Sequence, residues 1–209
     1  DFKGIVDLTR MKYFTFEGTN GETQVEHEIP ADVADKAKSM RETLTDAVSI
    51  FDDELAEKFL GGEEISYELL MRALRKGVVS NECYPVLVGT ALKNAGVQLM
   101  LDYAVDVLPC PLDVGAMKGV DVDDSTKQLE RAPSDDAPVS ALAFKIMTDP
   151  FVGSLTFVRV YSGVVKTGDA LLNPISGQRE RVGRLILMHA NKREEISEVH
   201  AGHIAAFLG

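Results

Sequence analysis

The hydrophobic period of this 209-residue chain changes once, and that change limits the architectures open to it. Between residues 31 and 78 apolar side chains recur three or four positions apart; from Ala137 they alternate. A 3.6-residue period lays apolar groups along one face of a helix, whereas a period of two lays them on one side of a strand. The first part therefore needs helices packed on one face, and the last part needs a run of short strands.

The opening stretch, "FKGIVDLTRMKYFTFEGTNGETQVEHEIP", places aromatic and β-branched runs on either side of Asn20-Gly21, a hairpin signal. Val33, Ala37, Met40, Leu44, Val48 and Phe51 then predict a helix over 31–50 with one buried stripe. A second short helix holds Leu55, Phe59 and Leu60 and stops at Gly61-Gly62, where glycine can take the left-handed cap. Ser66 is placed to cap a third helix whose Leu70, Ala73, Leu74 and Val78 share a face. Residues 1–82 thus read as a small α+β unit with no catalytic constellation.

The segment "VLVGTALKNAGVQLMLDYAVDVLPCP" predicts a strand at 84–88, a polar loop and a helix at 96–108 ended by Pro109 and Pro111. Its apolar helix face is expected at Val97, Leu101, Ala104 and Leu108, either covered by the first subdomain or exposed and driving self-association. Residues 112–136 are acidic and poor in large apolar groups, as suits an exposed linker. Within them "DVDDST" fails as a calcium loop, because Thr126 and Ala132 stand where the loop needs Gly and Glu. From Ala137, Leu142, Phe144 and Ile146 alternate with Ala143 and Lys145, and turn signals follow at Ser162-Gly163, Thr167-Gly168-Asp169, Asn173-Pro174 and Ser176-Gly177. That spacing predicts an antiparallel barrel or sandwich.

Apolar content of 45% suits a folded chain, and no apolar run approaches the roughly 18 residues that span a bilayer. With no signal peptide either, the reading is soluble and intracellular. Cys83 and Cys110 lack metal-ligand spacing. The net charge of -11 is uneven: residues 1–82 carry 18 acidic against 10 basic side chains, and residues 137–209 carry 6 against 8. A polyanion could be met only by the C-terminal end. His27, His189, His200 and His203 lack ligand spacing, and Asp52-Asp53, Glu63-Glu64 and Asp135-Asp136 are sequence neighbours that flank helix ends or the linker.

At the level of whole motifs, "SALAFKIMTDPFVGSLTFVRVYSGVVKTGDALLNP" and "ERVGRLILMHANKREEI" resemble the second domain of bacterial-type elongation factor G, a translational GTPase. "VGTALKNAGVQLMLDYAVDVLPCP" resembles the last strand and helix of that family's GTPase domain, and residues 1–82 resemble the subdomain inserted before them. The resemblance implies an α+β, multi-part fold: an insert subdomain over 1–82, an edge βα unit of a P-loop GTPase domain over 83–111, a linker over 112–136, and an antiparallel β-barrel of domain II type over 137–209. It also implies a piece of a longer cytoplasmic protein, starting at Asp1 and stopping within the barrel.

By the same resemblance, Thr90, Ala91 and Leu92 stand at the guanine-recognition loop. A fixed N–H there meets guanine's acceptor and is mismatched by adenine's donor, a difference of about 1–3 kcal/mol. That selects a base without anchoring a nucleotide; anchoring needs a phosphate cradle, and no G-x-x-x-x-G-K-[ST] occurs in the chain. GTP or GDP with magnesium is implied for the intact parent, with neither expected on this segment, so hydrolysis by the segment alone is not expected.

"NKRE" at 191–194 imitates the Asn-Lys-x-Asp guanine motif but follows the Thr-Ala-Leu loop by about a hundred residues instead of preceding it. Lys192 and Arg193 are assigned to a barrel loop, with Arg179, Arg181 and Arg184 on the adjoining hairpin, as candidates for contact with small-subunit ribosomal RNA. His203 stands where the family usually shows Asp, and His200 where it often shows Arg. Two functions stay open: a docking segment of a factor that drives GTP-dependent translocation of tRNA and mRNA, or a stand-alone module binding ribosomal RNA and a basic ribosomal protein. A sister translational GTPase, a ribosomal-protection or release factor, is the third.

Overall fold

The computed structural model describes residues 2–149, 153–190 and 192–208, and the chain divides into two compact units, Asp1–Pro109 and Cys110–Gly209.

In the first unit, β1 (Ile5–Asp7), β2 (Lys12–Glu17) and β3 (Thr23–His27) form an antiparallel sheet in that order, with Ile5 opposite Phe14 and Glu17 opposite Thr23. The hairpin around Asn20-Gly21 is therefore present, turning through Gly18 and Gly21 at φ +93° and +62°. Helices α1 (Ala31–Ser49), α2 (Asp53–Leu60), α3 (Tyr67–Val79) and α4 (Val97–Val107) follow. Asp52 accepts from the Leu55 N–H at the start of α2, and Ser66 accepts from the Leu69 N–H at the start of α3. The α2 chain reverses at Gly62, φ +69°, after a right-handed Gly61.

Val48, Leu55, Leu70, Ala73, Leu74, Tyr103 and Val107 form one core, so α4 shares its interior with α1–α3 rather than standing apart from residues 1–82. A smaller cluster of Ile5, Phe14 and Leu99 joins the sheet to α4. Three expectations change here. Met40 is 48% exposed, off the α1 stripe. The buried face of α4 is Leu99, Tyr103 and Val107, whereas Leu101 and Leu108 are exposed. Apolar residues surround this helix, so spacing alone does not single out one face. Finally, 84–88 is not a strand: no backbone hydrogen bond joins it to the described residues, and Val86 and Val88 are exposed. An apolar run becomes a strand only beside a partner's N–H and C=O groups.

The second unit opens with the single turn α5 (Pro111–Val114). The expected linker is exposed, but it also forms a two-stranded ribbon, β4 (Met117–Val120) with β5 (Gln128–Arg131). Then come β6 (Ser140–Asp149), β7 (Gly153–Ser162), β8 (Val165–Lys166), β9 (Ala170–Asn173), β10 (Gln178–Arg181), β11 (Arg184–His189), β12 (Lys192–Ile196), β13 (Glu198–Val199) and β14 (Ile204–Leu208). All pairings are antiparallel: a five-stranded sheet ordered β12-β11-β14-β7-β6, and ribbons β9–β10 and β8–β13. Among the described residues no ladder closes β12 onto β6. Val160, Val165, Val182, Leu185, Val199 and Ala205 fill the interior. Leu142, Phe144 and Ile146, expected on the core face, are exposed instead. Strand β6 is the last in its sheet, and its register shifts between Ala143 and Lys145, a bulge that breaks the alternation.

Asp135, just after β5, accepts from the Ala201 N–H at 3.0 Å and lies 2.8 Å from His200 Nδ1. The Ala201 N–H foremost, then His200, holds this carboxyl below its ordinary value. A carboxylate with a depressed folded-state pKa stabilises above its unfolded value, about 3.9, and that stability is lost as pH falls through the folded pKa. Asp135→Asn is expected to lower the urea midpoint at pH 7 and to make little difference at pH 2.5. An equal loss at both pH values would show that the charge is irrelevant.

Candidate functional site

Thr90 to Ala95 form a closed loop between the unpaired segment and α4. The Thr90 N–H donates to the Ala95 carbonyl at 2.9 Å and the Ala95 N–H returns to the Thr90 carbonyl at 3.1 Å. Between them Ala91–Lys93 makes a 3₁₀ turn, closed by Lys93 and Asn94 N–H groups on the Thr90 and Ala91 carbonyls, with Asn94 left-handed at φ +51°. Ala91 and Leu92 are exposed, and their backbone N–H groups make no hydrogen bond to the described residues. The bridged turn thus leaves the Ala91 and Leu92 N–H donors without an acceptor among the described residues. Leu92 itself is 98% exposed.

The five cations fall on three strands, β10, β11 and β12. Arg179 and Arg181 are exposed two residues apart on β10, so alternation puts them on the same side of the ribbon, opposite Leu172 and Ala170. Arg184 is not on that hairpin; it starts β11, paired with Leu208. Lys192 and Arg193 are not in a loop but open β12, opposite His189 and Met188, where alternation turns them to opposite sides. Among the described residues no group of His, Cys, Asp or Glu could hold a metal ion.

Two buried carboxylates, one of them in the Asp52-Asp53 pair expected at a helix end, hold networks that the sequence does not show. Asp52, besides capping α2, receives both Arg72 Nε and Nη2 at 2.9 Å and pairs with Lys76, and Arg72 extends to Glu54. Arg72 foremost, with Lys76 and the Leu55 N–H, holds this carboxyl well below the usual carboxylate range against the opposing effect of burial. Asp7, 5% exposed, accepts from the Thr9 N–H and hydroxyl and from the Tyr103 hydroxyl, each at 2.8 Å, and pairs with Arg10 at 3.1 Å. Burial pushes the Tyr103 phenol well above its ordinary value. Both clusters are buried networks that tie elements of the first unit together: Asp52 joins the start of α2 to α3, and Asp7 joins β1 to α4. The Asp-x-Thr spacing at 7–9, an Asx-type turn signal, was the available clue to the second.

Comparison with known proteins bears on both units. Residues 153–209 match the family model for elongation factor Tu domain 2. Across 98% of its length the chain is similar to a crystal structure from Thermus thermophilus, the protein ttk003000868, with 26% identity and a TM-score of 0.74. The chain spans 27% of that protein's length. The β-rich second unit therefore carries a domain of the elongation factor Tu domain 2 type.

Proposed function

We propose that this chain is a segment of an elongation-factor-G-like translational GTPase, whose intact form uses GTP to move tRNA and mRNA through the ribosome in the cytoplasm. The match of residues 153–209 to elongation factor Tu domain 2 is the observation that carries this reading. In it, residues 1–82 are the inserted subdomain, 83–111 the last strand and helix of the GTPase domain, and 137–209 the docking barrel. The free N–H groups at Ala91 and Leu92 support a guanine contact by the Thr90–Leu92 turn. GTP or GDP with magnesium belongs to the intact protein, because this chain has no phosphate loop with which to hold a triphosphate. The segment's own work is docking: the second unit on small-subunit ribosomal RNA, and the acidic surface of residues 1–82 on a basic ribosomal protein.

Of the five candidate cations, Arg179 and Arg181 lead, because they share one side of an exposed ribbon. Binding of the 209-residue chain to isolated small ribosomal subunits is expected to weaken linearly in log affinity against log salt. Arg179→Ala with Arg181→Ala is expected to flatten that slope by about 2, roughly one for each phosphate no longer neutralised. A salt-independent affinity, or none, would remove the docking role.

A further inference from the structure

The tip of the β2–β3 hairpin touches the Thr90–Ala95 loop, although more than seventy residues separate them in sequence. Gly21 is buried, unlike its neighbours Gly18, Thr19 and Asn20, which are exposed. A Cβ built on Gly21 would stand 2.4 Å from the Lys93 carbonyl oxygen and 3.2 Å from that of Asn94. Both are backbone atoms of the loop, so they cannot swing away as a side chain would. Gly21 also holds φ +62°, where a β-carbon is disfavoured. From the start of α4, Gln98 Nε2 donates to the Gly21 carbonyl at 2.9 Å, fastening the tip to the helix that follows the loop. The other amide atom, Gln98 Oε1, is buried without a hydrogen-bond partner among the described residues. A glutamine half satisfied in a buried place contributes position more than stability.

We infer that the hairpin tip is a prop for the Thr90–Leu92 turn, with Gly21 and Gln98 as its positioning residues. The hairpin leaves no room against the Lys93 and Asn94 carbonyls, so the turn is held closed with the Ala91 and Leu92 N–H groups unpartnered among the described residues. Because Gln98 ties the tip to α4, a displacement of the hairpin reaches the turn directly. The inference rests on the reading of Thr90–Leu92 as a guanine-contacting turn for its functional meaning, and on geometry alone for the mechanical link.

The test separates these two. Amide hydrogen exchange at Thr90 and Ala95 reads whether the bridge across the loop is closed. Gly21→Ala is expected to accelerate exchange there by roughly 5- to 30-fold, the effect of a β-carbon in a left-handed position with no room for it. Gly18→Ala is the control, since Gly18 has φ +93° in the same turn but the atoms nearest its Cβ would be those of the Glu22 carboxyl, the far end of a flexible side chain, and none of the three belongs to the loop. It is expected to leave Thr90 and Ala95 unchanged. Gln98→Leu is expected to accelerate exchange at the same two amides while the urea midpoint of the chain holds, which a residue of purely structural value would not do. Equal effects of Gly21→Ala and Gly18→Ala, or no effect of Gly21→Ala, would overturn the prop. Guanosine added to the wild-type chain is expected to shift the Ala91 and Leu92 amide resonances, and to shift them less in Gly21→Ala. Exchange that responds as expected without any guanosine shift in the wild type would uphold the prop and remove the base-contact reading.

Discussion

Leu70→Ala is expected to cost about 3 kcal/mol of stability in the first unit, within the 2–5 kcal/mol range of buried leucine truncations. Leu70 has no exposed surface and packs in the cluster with Val48, Leu55, Leu74 and Tyr103. Its neighbours come from α1, α2, α3 and α4, so no single element can move in to fill the space. The loss therefore combines the transfer of a large side chain with a cavity that stays open. Urea unfolding followed by circular dichroism at 222 nm reads it, because the long helices all lie in this unit. A shift of less than about 1 kcal/mol would mean that α3 does not meet α1 and α4 at this point.

The second large effect is expected at Asp52. Its side chain is 2% exposed, while Arg72 and Lys76 are 49% and 53% exposed. Removing one member of a wholly buried ion pair costs about 3–5 kcal/mol, chiefly through the charge left behind. Here the cations stand half in water and recover their hydration, so Asp52→Ala is expected to cost about 2 kcal/mol, including about 1 for the lost cap of α2. The pH dependence gives the sign. The folded-state pKa is depressed, so the contribution is present above the unfolded value of about 3.9 and is lost as pH falls toward the folded pKa. Asp52→Asn should therefore unfold earlier than the wild type at pH 7 and approach it near pH 2, read from urea midpoints at both. A wild-type midpoint unchanged between those pH values would show that the ion pairs contribute nothing.

The two units also differ in what each can offer a partner. The first concentrates acidic groups on its helices and hairpin, and the second presents Arg179 and Arg181 on a ribbon whose tip residue, Ile175, is 96% exposed. Residues 1–82 carry 18 acidic against 10 basic side chains and residues 137–209 carry 6 against 8, an unevenness that makes salt dependence the sharper assay.

By itself the sequence determined the elements whose signals are local. The turn at Asn20-Gly21 needs only left-handed glycines; Ser66 caps α3 from three residues away; the α3 stripe of Leu70, Ala73, Leu74 and Val78 repeats strictly enough to name its buried side. The Thr90–Leu92 turn was legible only through whole-motif resemblance, since its hydrogen bonds are made by backbone atoms that any side chains could carry. Tertiary structure decided whatever depends on a partner far away in the chain. Residues 84–88 have the composition of a strand, but a strand is a relation to a neighbouring backbone, and among the described residues they have none. Helix α4 is apolar on several sides, so its inward face was chosen by the position of α3 and β1 rather than by its own period. The β6 residues alternate in sequence, but a bulge between Ala143 and Lys145 breaks that alternation in the strand, and Leu142, Phe144 and Ile146 find no cover at the end of their sheet. Arg184, Lys192 and Arg193 lie in a different sheet from Arg179 and Arg181, a division that charge counting does not see. The contact of Gly21 with Lys93 belongs to the same class, because a glycine kept small by a distant carbonyl looks, in one dimension, like any other glycine in a turn.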